Sequence, residues 1–239
     1  MATPFLCQPI QHGADIVVHS TTKFLSGHGN AMGGAIVDSG TFDWAQNDKY
    51  PSLAQPEEAY HGLNFYESFG DLAYTTYGHA VGLRDLGPTM APMNAYLTIM
   101  GIETLALRME KHVANAEVVA NYLHNHDKVS WVSYAGLEDS KYFHLAKKYL
   151  PKGAGSVFTF GIKGGYDAGV KFVEKCQLLS HLAKIGDTRS LVLHPASTTH
   201  RQLTETQRIS AGAGDDVIRL SIGLETVEDI IADLEQALR

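Results

Sequence analysis

The sequence predicts an α/β fold, and two patterns carry that prediction. Short β-branched apolar runs bounded by turn residues read as strands, and longer stretches with apolar residues at steps of three and four read as amphipathic helices. The two kinds of segment alternate through the second half of the chain, the arrangement expected of a sheet covered by helices. Composition agrees: of 239 residues, 44% are hydrophobic and 19% charged, which supports a real core and argues against a disordered chain.

The elements follow in order. Asp15-Ile16-Val17-Val18-His19 is a short β-branched run and reads as a strand. A turn, Ser20-Thr21-Thr22, leads into Lys23-Phe24-Leu25 and a glycine-dense loop, Gly27-His28-Gly29-Asn30. Gly33 to Asp38 reads as a second strand. Residues 45 to 70 are polar and rich in Pro, Tyr and Glu, and read as a long surface excursion with some helix. From Pro92 to about Asn125 the spacing predicts one long amphipathic helix, with Ile102, Leu105, Met109, Val113, Ala116, Ala120 and Leu123 on one face. That helix is the candidate domain junction. Beyond it, strands are expected at Val129–Val132, Ser156–Ile162, Leu191–Leu193 and Val217–Ile222. Helices are expected over Tyr142–Leu150, ending before Pro151, and over Ala168–Ala183. A last helix carries Val227, Ile230, Ile231, Leu234 and Leu238 on one face, with Thr226 and Asp229 as a capping pair.

Charge excludes several function classes. Lys and Arg total 19 against 26 Asp and Glu, a net charge of −7, and no basic run occurs. Nucleic acid and acidic membrane surfaces both need clustered positive charge, so neither is an expected partner. Cys7 and Cys176 form no CxxC, and the 12 histidines form no ligand cluster, so neither a disulfide framework nor a metal site is expected. The first residues show no basic segment or long apolar stretch, and a cytoplasmic location is the expectation.

The sharpest chemical feature is His19-Ser20-Thr21-Thr22-Lys23. Hydroxyls and backbone N–H groups in a turn after a strand can hold a phosphate. A lysine beside them can act as an amine nucleophile toward an aldehyde. An aldehyde with a phosphate describes pyridoxal phosphate (PLP), for which a protein supplies lysine and orientation. A plain surface lysine after a Ser/Thr turn fits the same residues. Ser20-Thr21-Thr22-Lys23 also matches S-x-x-K, but the S-D-N and K-T-G elements of the serine hydrolases that use it are absent. Arg219 interrupts the apolar run Val217-Ile218-Arg219-Leu220. A buried arginine must be paired, either in an internal salt bridge or as a bidentate clamp on a substrate carboxylate.

His19-Ser20-Thr21-Thr22-Lys23-Phe24, followed by Gly27-His28-Gly29, resembles the cofactor-lysine segment of the Cys/Met-metabolism PLP enzymes. Tyr60-His61-Gly62-Leu63, Leu83-Arg84-Asp85-Leu86-Gly87-Pro88 and Gly101-Ile102-Glu103-Thr104-Leu105 extend the likeness. So do Gly186-Asp187-Thr188-Arg189-Ser190-Leu191, His194-Pro195-Ala196-Ser197-Thr198-Thr199-His200 and Ile218 to Glu225. Together they resemble the O-acetylhomoserine sulfhydrylase branch. The resemblance implies the C-terminal part of a fold type I (aspartate aminotransferase-like) large domain at residues 1–90. A connecting helix at 91–126 and a small α/β domain at 127–239 would follow. It implies PLP as cofactor, with Lys23 as the Schiff-base and catalytic residue, and Ser20 and Thr22 on its phosphate. Arg219, helped by Ser190, would bind the amino-acid carboxylate. Related γ-lyases carry a glutamate where Arg189 stands, which favours the sulfhydrylase over the γ-lyase. The implied reaction is γ-replacement: O-acetyl-L-homoserine loses acetate, and sulfide or a thiol adds to give homocysteine or methionine. A homotetramer is the implied assembly.

The likeness starts in the middle of the family's cofactor domain. Part of the expected site, including an aspartate for the cofactor ring nitrogen and a stacking aromatic ring, has no counterpart in these residues. The chain is therefore expected to behave as a truncated or split form. It would act with a complementary N-terminal chain, or else be a non-catalytic fragment.

Overall fold

The computed structural model describes residues 2–239. In chain order the helices and strands are α1 (Thr3–Leu6), β1 (Ile16–Ser20), β2 (Gly34–Asp38), α2 (Pro51–Ala54), α3 (Phe65–Phe69), α4 (Ala73–Tyr77), α5 (Pro92–Glu103), α6 (Leu105–His124), β3 (Val129–Ser133), α7 (Phe143–Tyr149), β4 (Val157–Ile162), α8 (Gly165–Lys175), β5 (Ser180–His181), β6 (Leu191–Leu193), α9 (Glu205–Ser210), β7 (Val217–Ser221) and α10 (Val227–Leu238). They fall into two compact units. The larger contains residues 2–7, Thr22–Ala31 and Leu97–Arg239; the smaller contains Gln8–Thr21 and Met32–Tyr96.

The larger unit is built on a five-stranded sheet in the order β3-β4-β7-β6-β5. The pairs are antiparallel except β5 with β6, which is parallel. Alternation along β4 and β7 sets the faces. Phe158 pairs with Leu220 and Phe160 with Ile218, and these four side chains enter the main core. The C-terminal half of α6 covers them with Val119, Ala120 and Leu123, α8 with Phe172 and Val173, and α10 with Ile230 and Leu234. Residues between them in β7, Arg219 among them, point to the other face because strand side chains alternate. A second cluster holds Phe24, Leu25, Leu105, Met109 and Val113, with Val157 packed against it. The N-terminal half of α6 thus buries the residues that follow Lys23.

The smaller unit pairs β1 antiparallel with β2, Val18 opposite Ile36 and Ser20 opposite Gly34. Around Leu53, Phe65 and Ala73 the short helices α2, α3 and α4 form a small core. Asn64 caps α3 by accepting the Glu67 N–H at 3.1 Å. Among the described residues, no helix is long and apolar enough to cross a membrane.

The structure corrects four expectations. The single helix from Pro92 is interrupted at Thr104, whose φ of −106° and ψ of 7° leave the helical path. There the Gly101 carbonyl accepts side-chain donors, Arg108 Nη2 at 2.5 Å and Thr104 Oγ1 at 3.4 Å. Ile102 accordingly is exposed rather than on the buried face. The helix expected to reach Ala183 stops at Lys175, because the Asp233 carboxylate accepts the backbone N–H groups of Gln177, Leu178 and Leu179. Thr226 precedes α10, but its side chain makes no cap; the Thr226 carbonyl accepts the Asp229 N–H instead. Helix α9 was not expected, although Thr204 and Gln207 spell a capping box and make both of its bonds.

Candidate active site

Lys23 lies in a single wide turn, Thr21–Leu25, directly after β1. Its φ of −90° and ψ of −130° break the helical run at that residue. The chain is redirected here, so Lys23 is partly exposed while Phe24 and Leu25 are buried. Gly27 N–H closes the turn on the Lys23 carbonyl at 2.8 Å. Ser20 ends β1 in the smaller unit and is exposed; Thr22 opens the 22–31 segment of the larger unit and is half-buried.

Two groups from α6 fix the backbone after Lys23. Arg108 is buried, and its guanidinium donates to the Phe24 carbonyl at 2.8 Å, the Leu25 carbonyl at 3.4 Å and the Thr104 hydroxyl at 3.2 Å. A side chain at Gly27 would collide with it, since an added Cβ would stand 2.3 Å from Arg108 Nη1. Burial pulls the Arg108 pKa down, and no acidic side chain offsets that burial within ion-pair distance among the described residues. His112, fully buried, meets the Phe24 ring edge to face at 5.2 Å and donates from Nδ1 to the Ile222 carbonyl at 2.7 Å. Burial holds its pKa down to about 4, with the Arg108 charge acting in the same direction. It is therefore neutral near pH 7.

Loop 183–190 joins this turn to the remaining expected residues. Gly186 packs on Phe24, where an added Cβ would lie 2.7 Å from the backbone N, and Thr188 N–H donates to the Gly27 carbonyl at 2.9 Å. On its other side the loop receives Arg219, whose Nη2 donates to the Ala183 carbonyl at 2.6 Å and the Lys184 carbonyl at 3.4 Å. Of the two partners open to Arg219 from sequence, the internal salt bridge is not formed: among the described residues no carboxylate lies within ion-pair distance. Burial pulls its pKa down. Among the described residues only one nitrogen of the guanidinium is engaged, so a fork of N–H groups stays open to an anion.

Ser190 is fully buried. Its hydroxyl donates to Glu225 Oε2 at 2.8 Å and accepts from the Gly223 N–H at 2.8 Å, while its own N–H donates to Glu225 Oε1 at 2.6 Å. The hydroxyl thus ties the start of β6 to the end of β7. Arg108, His112 and Asp187 belong to the same neighbourhood but receive no role from the sequence, although Asp187 lies within the Gly186–Leu191 segment of the family likeness. The available signal was charge and imidazole on the apolar face of α6: Arg108 adjoins Met109, and His112 adjoins Val113.

The family described as Cys/Met metabolism PLP-dependent enzyme matches residues 1–239. O-acetyl-L-homoserine sulfhydrylase of Leptospira meyeri is 48% identical over 248 residues, which cover 100% of this chain and 56% of that protein. Homocysteine synthase of Schizosaccharomyces pombe is 52% identical over 235 residues, covering 98% of this chain and 55% of that protein. A crystal structure of an O-acetylhomoserine (thiol)-lyase from Campylobacter jejuni, which contains a pyridoxyl-lysine monophosphate, superposes with a TM-score of 0.93 at 44% identity. That match covers 99% of this chain and 56% of the other. The chain spans about half the length of the curated relatives it matches.

Proposed function

Because this chain belongs to the Cys/Met metabolism PLP-dependent enzyme family, we propose that it supplies the lysine and carboxylate-binding side of a γ-replacement site for O-acetyl-L-homoserine. The products would be acetate and, with sulfide or a thiol, homocysteine or methionine. One observation carries the assignment. Within the larger unit a single loop touches both the Lys23 turn and an arginine that has no acid partner among the described residues.

The donor set fits the two ends of PLP: an amine for the aldehyde, and the Ser20 and Thr22 hydroxyls for the phosphate. The bound cofactor supplies an electron sink for a carbanion next to the substrate nitrogen. Lys23 holds the aldehyde carbon, and its amine, once released, takes and returns protons on the substrate carbon chain. Arg219 receives the amino-acid carboxylate on its open N–H fork, which fixes the chain to be cleaved relative to Lys23. Ser190 contributes indirectly, since its hydroxyl is committed to Glu225 and Gly223. Arg189 standing where the γ-lyases carry glutamate supports replacement over elimination, as do the names of the relatives. In this reading the chain divides into residues 1–90, 91–126 and 127–239 and acts in a homo-oligomeric assembly.

A second reading, that the chain acts only with a complementary N-terminal chain, is favoured by the apolar surface of the β1–β2 ribbon. Val18 is 73% exposed and Ile36 56%, on a strand pair of a kind normally covered.

Borohydride reduction of the purified chain with added PLP, followed by mass mapping, tests the site. The expected result is one adduct at Lys23, absent from Lys23→Ala. Labelling spread evenly over many lysines would overturn the assignment. Product analysis of an active assembly tests the reaction: homocysteine formed with sulfide indicates replacement, and an oxo acid with ammonia indicates elimination.

A further inference from the structure

Loop 183–190 is held by a charge cluster that the proposed reaction does not use. Asp187 is 2% exposed, yet its carboxylate accepts five hydrogen bonds, the longest from the Thr188 hydroxyl to Oδ1 at 3.4 Å. Oδ1 accepts from Arg189 N at 3.2 Å and Arg189 Nε at 3.0 Å; Oδ2 accepts from Lys184 Nζ at 3.0 Å and Arg189 Nη2 at 3.3 Å. Burial pushes this carboxyl up, but the hydrogen bonds from Arg189 and Lys184 outweigh it and bring the pKa down to about 2. The cluster is asymmetric in exposure: the Lys184 side chain is 19% exposed and that of Arg189 63%. The buried anion is the pivot. Removing its charge would release both cations, whereas removing one cation leaves the other in place.

The cluster has contacts on two sides. Toward the Lys23 turn, an added Cβ at Gly29 would lie 2.7 Å from Asp187 Oδ2 and 3.0 Å from Lys184 Nζ. The Gly29 φ of +71° suits glycine and lets the backbone come this close. Toward Arg219, the carbonyl of Lys184 itself is one of the two acceptors of the guanidinium, with Ala183 as the other. Gly186 N–H donates to Ser221 Oγ at 3.0 Å, and Leu224 N–H donates to the Thr188 carbonyl at 2.8 Å. Lys184 therefore faces Asp187 through its ammonium and Arg219 through its carbonyl.

We propose that Asp187 is a positioning residue whose paired cations hold loop 183–189 against the Lys23–Gly29 turn on one side and the Arg219 guanidinium on the other, so that the lysine and the carboxylate clamp keep a fixed separation. This rests on the roles given above to Lys23 and Arg219 and adds the element that sets them in register. The physical need is specific. The loop contributes Gly186, Asp187, Thr188 and Arg189 in succession, and its one large apolar side chain, Ile185, is only half-buried, so packing alone gives it a weak anchor.

Hydrogen–deuterium exchange of the purified chain tests this without any ligand. Peptides covering residues 22–29, 183–190, 217–224 and α10 are compared among wild type, Asp187→Asn, Lys184→Met and Arg189→Met. In Asp187→Asn, exchange is expected to rise about tenfold or more in both 183–190 and 22–29, with α10 unchanged. The two cation variants are expected to give smaller rises in the same two segments. A rise confined to 183–190, or no rise, overturns the proposal. If Asp187→Asn also accelerates α10, it has unfolded globally, and the cation variants decide by the same criterion. Borohydride labelling is run alongside. Wild type labelled at Lys23, with Asp187→Asn needing several-fold more PLP for half-labelling, supports the functional register. Linked exchange with no Lys23 adduct in wild type overturns the Lys23 reading and leaves the loop coupling standing. Lys23 labelling equal in both proteins overturns the register.

Discussion

Arg219 and His112 show how burial sets a residue's task in opposite ways. Arg219 keeps its charge and is held by two carbonyls at one edge. A lysine there would keep the charge but lose the planar fork. Arg219→Lys is expected to weaken binding of an amino-acid carboxylate by roughly 10- to 100-fold, the loss of a bidentate charged contact. Borohydride labelling at Lys23 is expected to persist in that variant. Equal carboxylate binding by wild type and variant, measured by calorimetry, would remove Arg219 from the site. His112 is buried uncharged, its pKa lowered to about 4 from 6.5. Between those values the unfolded chain takes up a proton that the native chain refuses, so stability falls as pH drops through that window and levels off below it. The loss amounts to roughly 3 kcal/mol, from about 1.4 kcal/mol per pKa unit. A second proton would meet no acceptor among the described residues, where Nε2 has no hydrogen-bond partner. Urea titrations at several pH values should show this slope, flattened in His112→Gln. At this scale, Lys23 and Arg219 were readable in the sequence because each breaks a local pattern. Arg108 and His112 were not, because their partners lie 83 and 110 positions away in the chain. Asp187 pairs with its neighbours Lys184 and Arg189, and its role was hidden because only the fold buries it between them.

Elements end where side chains far away in sequence intercept the backbone. Asp233, on α10, takes three consecutive N–H groups after α8. Asp233→Asn keeps the shape but removes the charge and leaves the remaining amide badly matched to three donors. A loss of about 2–3 kcal/mol is expected, the range for hydrogen bonds to charged groups, read as a lower urea midpoint. An unchanged midpoint would show that α8 ends for another reason. Thr204→Ala removes one half of the α9 capping box and is expected to cost about 1 kcal/mol, with faster amide exchange confined to α9. Most strands were legible because a β-branched run needs no distant partner to be recognised. The overrun of α8 was a different case: Gln177 to Ala183 suits a helix by local propensity, and a carboxylate 54 residues onward from Leu179 overrides it.

At the scale of the molecule, the two units differ in how much apolar surface they bury. The larger unit closes its sheet under α6, α8 and α10. The ribbon of the smaller unit instead presents Val18 and Ile36 as an exposed cross-strand pair. A purified chain is expected to associate with rising concentration through this ribbon, and the double variant Val18→Thr, Ile36→Thr should reduce that association in sedimentation experiments. Threonine keeps the β-branched shape, so melting should change little. Equal association of both proteins would clear the ribbon of the effect. By itself the sequence determined the α/β class, the order of most elements, the family and the lysine segment, because each is written in spacing, periodicity or contiguous motif. Only the tertiary structure decided that Arg219 lacks an acid partner among the described residues, that the Ser190 hydroxyl is spent on Glu225 and Gly223, and that one ion-paired loop touches both Lys23's turn and Arg219. Those are facts about pairing across the sheet and between loops. A chain specifies such pairings through burial and hydrogen-bond satisfaction over its whole length, which no local window contains.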